Sequence, residues 1–123
     1  MQKKLCLRAY NELYVIDLEM VMYLQADDHY THVYYSSGTH FMVPFGLSKV
    51  EQAITNITTT GERFLIRMGR EFILNLRCIY QINTVKQIVM LSDNHGINLS
   101  LHLSKPVLRS LIETVNASLA PDL

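Results

Sequence analysis

The chain has 123 residues, 49% hydrophobic and 18% charged, a balance that describes one folded domain and excludes a disordered segment. Eleven basic and eleven acidic residues cancel to a formal net charge of zero, so any attraction for a polyanion has to be local. No apolar run approaches the roughly 20 residues of a membrane span, and Arg8, Asn11 and Glu12 interrupt any signal-peptide core, so a cytoplasmic location without membrane association is expected.

In chain order, alternating or β-branched segments predict strands over 4–9, 13–18, 21–24, 30–35 and 39–43. Ser36-Ser37-Gly38 reads as a hairpin turn. The first strand carries Cys6, and Cys78 lies in a later apolar, strand-like segment. Two lone thiols far apart suit a reducing compartment, where cysteine acts as a small buried hydrophobe. Apolar residues at Val50, Ala53, Ile54 and Ile57 then predict a helix over 48–57. Ser48 and Glu51 have the spacing of a capping box, and the β-branched run that follows keeps the helix short. Further strands are expected over 64–68, 72–76, 79–84, 87–91 and 97–101, with a turn at Asp93-Asn94-His95-Gly96. From Ser104 onward, Val107, Leu108, Leu111, Ile112, Val115 and Leu119 repeat at helical spacing, and Pro106 falls in the first turn, where no amide donor is missed. The fold class is mainly antiparallel β with two helices.

Charge is distributed unevenly along these elements. Arg63, Arg67, Arg70, Arg77 and Lys86 face only Glu62 and Glu71 between positions 62 and 86, whereas 20–44 holds no Lys or Arg. The run 65–76 is apolar at both ends and breaks at Gly69 between Arg67 and Arg70. Their planar donor forks suit phosphate oxygens and the guanine edge, although a hairpin with solvated arginines accounts for the same residues. Leu47-Ser48-Lys49 and Leu103-Ser104-Lys105 each put a hydroxyl and an ammonium at a helix start. Such a terminus is either a phosphate site or an ordinary N-cap. Asp27, Asp28, His29, His32 and His40 lack the spacing of a closed metal site, and no P-loop, nucleophile elbow or Cys–His motif is present. No enzyme activity, metal or cofactor is expected.

Taken together, the segments resemble the LytTR family, the DNA-binding output domains of many bacterial response regulators. The likeness runs over about 13–111 of a single domain spanning 1–123. The family signature F-x-R-x-H-R-S-x-x-V-N-L is matched at Arg67, Arg70, Asn75 and Leu76, with Leu65 for Phe and Leu74 for Val. Ala26-Asp27-Asp28-His29-Tyr30 meets the A-D-x-x-Y pattern, and Leu47-Ser48-Lys49-Val50-Glu51 the opening of the family helix. Leu103-Ser104-Lys105 resembles the V-S-R segment. Three departures stand out: Gly69 replaces His, Glu71 replaces Ser, and Lys105 replaces Arg, turning a bidentate grip into a point-charge contact.

The resemblance implies an elongated LytTR-like arrangement of small antiparallel sheets with a short internal helix and a C-terminal helix. It implies sequence-specific binding of double-stranded DNA by a bacterial transcriptional regulator that reads the major groove through loops at 27–30, 44–49 and 101–105. On that basis the DNA-binding residues are His29, Tyr30, Ser48, Lys49, Arg70, His102, Ser104 and Lys105. Lys105 and the 27–30 loop are expected to read bases, with Ser48, Lys49, Ser104 and Arg70 on the phosphate backbone. Arg67 is expected to brace a sheet face or pair with a carboxylate, and Asn75 to be a satisfied structural amide. Implied partners are a second copy on paired half-sites and a receiver domain or sensor kinase of a two-component system; a receiver's alternating strands and helices are absent from this chain. The competing reading is a non-catalytic protein-interaction or dimerisation module on the same scaffold that has lost DNA binding.

Overall fold

The computed structural model describes residues 3–93 and 95–118; the expectations for Asn94 and Leu119 lie outside the described residues. The order is β1 (Lys4–Ala9), β2 (Glu12–Asp17), β3 (Val21–Asp27), β4 (Tyr30–Tyr35), β5 (His40–Val43), α1 (Leu47–Ile57), β6 (Leu65–Met68), β7 (Phe72–Asn75), β8 (Ile79–Asn83), β9 (Ile88–Ser92), β10 (Asn98–His102) and α2 (Lys105–Ser118). Every strand predicted from the alternation forms, with ends moved by at most three residues, and every pairing is antiparallel. The strands make sheets of two, five and three members, and the chain divides into two compact units at Asn75/Leu76.

In the first unit the hairpin β1–β2 turns one face inward. Leu5 pairs with Ile16 and Leu7 with Tyr14, whereas Cys6 pairs with Val15 and Arg8 with Leu13 on the outer face. Strand parity therefore leaves Cys6 exposed, not buried as its apolar neighbours suggested, because Leu5 and Leu7 occupy the inward positions. Both cysteines are free, and burial raises the pKa of the Cys78 thiol.

The five-stranded sheet has the order β5-β4-β3-β7-β6. Leu24, Val33, Val43, Leu65 and Ile73 of this sheet join Leu5, Leu7 and Ile16 of the hairpin and Leu47, Val50 and Ile54 of α1 in one apolar cluster. The helix contributes at intervals of three and four residues, which puts its apolar stripe on a single side. Each such aliphatic side chain contributes roughly 1.5–3 kcal/mol on full burial, so the cluster sets where α1 lies against the sheet.

The expected capping box at α1 does not form. The helix begins at Leu47, with Gly46 in the cap position and no side-chain cap. The Gly46 carbonyl accepts from the amides of both Lys49 and Val50. Leu47 is buried and draws the helix start one residue ahead of Ser48, so the Ser48 hydroxyl lies inside the first turn, where it cannot cap. At the other end the Thr58 hydroxyl donates to the Ile54 carbonyl at 2.7 Å, and the chain becomes extended.

In the second unit β8, β9 and β10 form a meander followed by α2. At the β9–β10 turn Asp93 accepts from the amides of His95 and Ile97, at 2.8 and 2.9 Å. The His95 amide is the main reason that the carboxyl stays below its usual range.

Among the described residues of the first unit two polar side chains are buried and satisfied: Thr31 donates to the Phe45 carbonyl, and the Asn75 amide donates to the Val21 carbonyl at 2.8 Å. Asn75 thus joins the end of β7 to the start of β3, as a structural amide should. Replacing it (Asn75→Ala) leaves a buried carbonyl unpaired and should cost about 1–3 kcal/mol in urea unfolding, with an unchanged m-value.

Candidate nucleic-acid interface

The register brings three connections to one end of the five-stranded sheet. Asp27 pairs with Tyr30, Thr31 with Val43, Gln25 with Phe72 and Met68 with Phe72. The β3–β4 turn, the β5–α1 link and the β6–β7 turn therefore open on the same side. Cross-links fix them there. The Ala26 amide donates to the Glu71 carbonyl at 2.8 Å, the Gln25 side-chain amide donates to the Glu71 carboxylate at 2.9 Å, and the Thr31 hydroxyl holds the link at Phe45.

Arg67 does most of this work. It shares a sheet face with Leu65 and Ile73, which directs it toward α1. Its Nη1 donates to the Ser48 hydroxyl at 3.3 Å and to the Glu51 carboxylate at 3.0 Å. Its Nε and Nη2 donate to the carbonyls of Gly69 and Arg70 at 2.9 and 3.1 Å. One planar fork thus joins the first turn of α1 to the β6–β7 turn, a task that a single ammonium could not perform. Glu51, expected as half of a capping box, is instead the carboxylate partner of Arg67.

Around this brace stand five of the eight sequence-predicted contacts. His29 is exposed in the β3–β4 turn, beside Asp28 at 3.6 Å, and Tyr30 is exposed at the start of β4. Asp28 takes a positive φ of 55°, which makes the turn tight. Ser48 and Lys49 lie in the first turn of α1, and the Lys49 ammonium sits 5.6 Å from the centre of the Phe45 ring, still exposed. Arg70 is exposed, and its side chain makes no hydrogen bond or ion pair among the described residues. Gly69, where the family has His, adopts φ 68°, a conformation most open to glycine.

Asp27 is engaged by a histidine pair. His32 bonds to Asp27 at one ring nitrogen and to His40 at the other, each at 2.8 Å, so these donors serve one another. Among the described residues no group of three His, Cys, Asp or Glu is arranged to hold a metal ion.

The other three predicted contacts lie in the second unit. His102 is the last residue of β10, not a loop residue, because it pairs with Ile88. The Leu103 amide donates to the Gln87 carbonyl, and the Ser104 carbonyl accepts from the Leu108 amide, so Ser104 stands at the cap of α2 and Lys105 begins the helix. The two Leu-Ser-Lys tripeptides are therefore not equivalent. In α1 the leucine opens the helix; in α2 the lysine does. A groove at this end is lined by Thr84, Val85, Lys105 and Arg109. Arg109 was missed in the sequence, although its spacing of four from Lys105 puts both cations on one helix face.

Removing the brace has a direct readout. Arg67→Ala should cost about 1–2 kcal/mol, a fall of roughly 4–10 °C in Tm, and speed amide exchange at residues 48–51 and 69–71. Arg67→Lys should not restore that protection.

The family model described as the LytTr DNA-binding domain matches residues 11–113. Among solved structures, the LytTr DNA-binding domain of a putative methyl-accepting/DNA response regulator from Bacillus cereus is similar in fold, with a TM-score of 0.59 at 22% identity, over 92% of this chain and 95% of that one. No curated protein gives a significant match. No described helix is long and apolar enough to cross a membrane.

Proposed function

We propose that this chain, which belongs to the LytTr DNA-binding domain family, binds double-stranded DNA sequence-specifically as a cytoplasmic bacterial transcriptional regulator. The observation that carries the reading is the gathering of exposed His29, Tyr30, Ser48, Lys49 and Arg70 on three cross-linked connections at one sheet end. Loops of this kind enter the major groove without a recognition helix. Lys49 and Arg70 neutralise phosphates, with the Ser48 hydroxyl as a further donor. His29 and Tyr30, at the turn with fewest competing bonds, meet base edges.

In the second unit Ser104 is the backbone contact and Lys105 the base reader, with His102 beside them at the end of β10. Lys105 offers one charge in place of a fork, so it favours guanine acceptors with less discrimination than arginine. A second copy on a paired half-site supplies the remaining specificity, and a two-component receiver or sensor kinase supplies the signal.

Zero net charge favours the rival, an interaction module without DNA binding. Fluorescence anisotropy on DNA upstream of the chain's own gene, at two salt concentrations, separates the two. A preferred site with steep salt dependence supports the regulator; no binding at low salt together with a stable oligomer by light scattering supports the rival.

Two substitutions sharpen the assignment. Lys105→Ala should reduce preference for the specific site by roughly 1–3 kcal/mol, and an equal loss on random DNA would make Lys105 a phosphate contact. Lys49→Ala should weaken binding to all sequences and lower the salt slope by about one unit; an unchanged slope removes Lys49 from the interface.

A further inference from the structure

An apolar side chain stands among cations at the β8–β9 turn. Val85 is 87% exposed, and its chain neighbours Thr84 and Lys86 are exposed as well. The turn is held from both ends. The Asn83 side-chain carbonyl accepts from the Val85 and Lys86 amides at 3.1 and 2.9 Å, and the Leu103 amide donates to the Gln87 carbonyl at 3.0 Å. The second bond ties the turn to the link that enters α2. Thr84 and Val85 of the turn and Lys105 and Arg109 of the helix line a groove of about 300 Å³. Lys86, Lys105 and Arg109 are exposed, and none of their side chains makes a hydrogen bond or ion pair among the described residues. Glu113, the single acid of α2, pairs with neither cation of that helix.

We propose that this groove grips the sugar–phosphate backbone of one DNA strand, which adds the β8–β9 turn and Arg109 to the DNA-contacting surface; the inference rests on the regulator reading. Along a strand, charged phosphates alternate with the apolar faces of deoxyribose. The groove answers that order with cations on either side of a bare valine. The Arg109 fork takes two oxygens of one phosphate, Lys86 takes a neighbouring phosphate, and Val85 packs on the sugar between them. Every nucleotide presents the same backbone, so this grip adds affinity for all duplexes and leaves discrimination to Lys105. An acidic peptide fits less well. It brings amide donors and carbonyl acceptors of its own, and the only uncharged polar side chain in the groove lining is Thr84.

The test is fluorescence anisotropy of the full chain on two duplexes of equal length, one selected from a random library and one of scrambled sequence, across a series of salt concentrations. Arg109→Gln and Lys86→Gln should each lower the salt slope by about one unit on both duplexes. Val85→Ala should weaken both by roughly threefold with an unchanged slope, as expected for lost apolar contact. Poly-glutamate at equal charge should displace neither duplex. The proposal is overturned if the slope of either Gln variant stays at the wild-type value, if the losses fall on the selected duplex alone, or if Val85→Ala binds as wild type does. Displacement by poly-glutamate also overturns it and assigns the groove to an acidic protein. Failure of the wild-type chain to bind either duplex removes the regulator reading together with this contact, whereas wild-type binding with unaffected variants removes the contact alone.

Discussion

The geometry at the end of the five-stranded sheet depends on one guanidinium. Without Arg67, α1 is held by its apolar stripe alone, since Gly46 gives its N-terminus no side-chain cap. Apolar packing fixes the distance and tilt of a helix well, but it leaves the polar first turn without a directional partner. Arg67 supplies direction by bonding to Ser48 and Glu51 on the helix and to two carbonyls of the β6–β7 turn. A cation beside a helix N-terminus opposes the helix dipole, and the Glu51 carboxylate at 3.0 Å offsets that cost. Glu51 is therefore as necessary to the arrangement as the arginine.

The departures from the family signature become intelligible around this brace. Gly69 enters the left-handed region freely, so the tight β6–β7 turn presents its carbonyl to Arg67 with little strain. Glu71 adds a negative charge, but its carboxylate is bonded to Gln25 at 2.9 Å. That bond engages the acid within the fold, while the Arg70 side chain stays open to solvent. Lys105 is paired on its helix face with Arg109, so the lost fork of one residue is accompanied by a second cation one turn away.

Zero net charge and local cations are compatible because the charges are sorted by position. Several acids are engaged within the fold: Glu51 by Arg67, Glu71 by Gln25, Asp27 by His32, and Glu62 by the Thr59 amide and hydroxyl. Lys49, Arg70, Lys105 and Arg109 remain exposed. What an approaching polyanion meets is set by which charges are engaged more than by their sum.

The amino-acid order alone determined the strands, the two helices and the antiparallel class, because alternation and helical spacing are properties of neighbours along the chain. It also marked Asn75 as structural and Arg67 as a brace or ion-pair partner, and the family motifs were readable in it. It misplaced Cys6, whose side depends on strand parity against a distant partner, and the start of α1, which the burial of Leu47 decided. The partners of Arg67 and the convergence of three connections at one sheet end were settled only by tertiary structure. Both join residues far apart in the chain, and no local pattern carries the register that makes them neighbours.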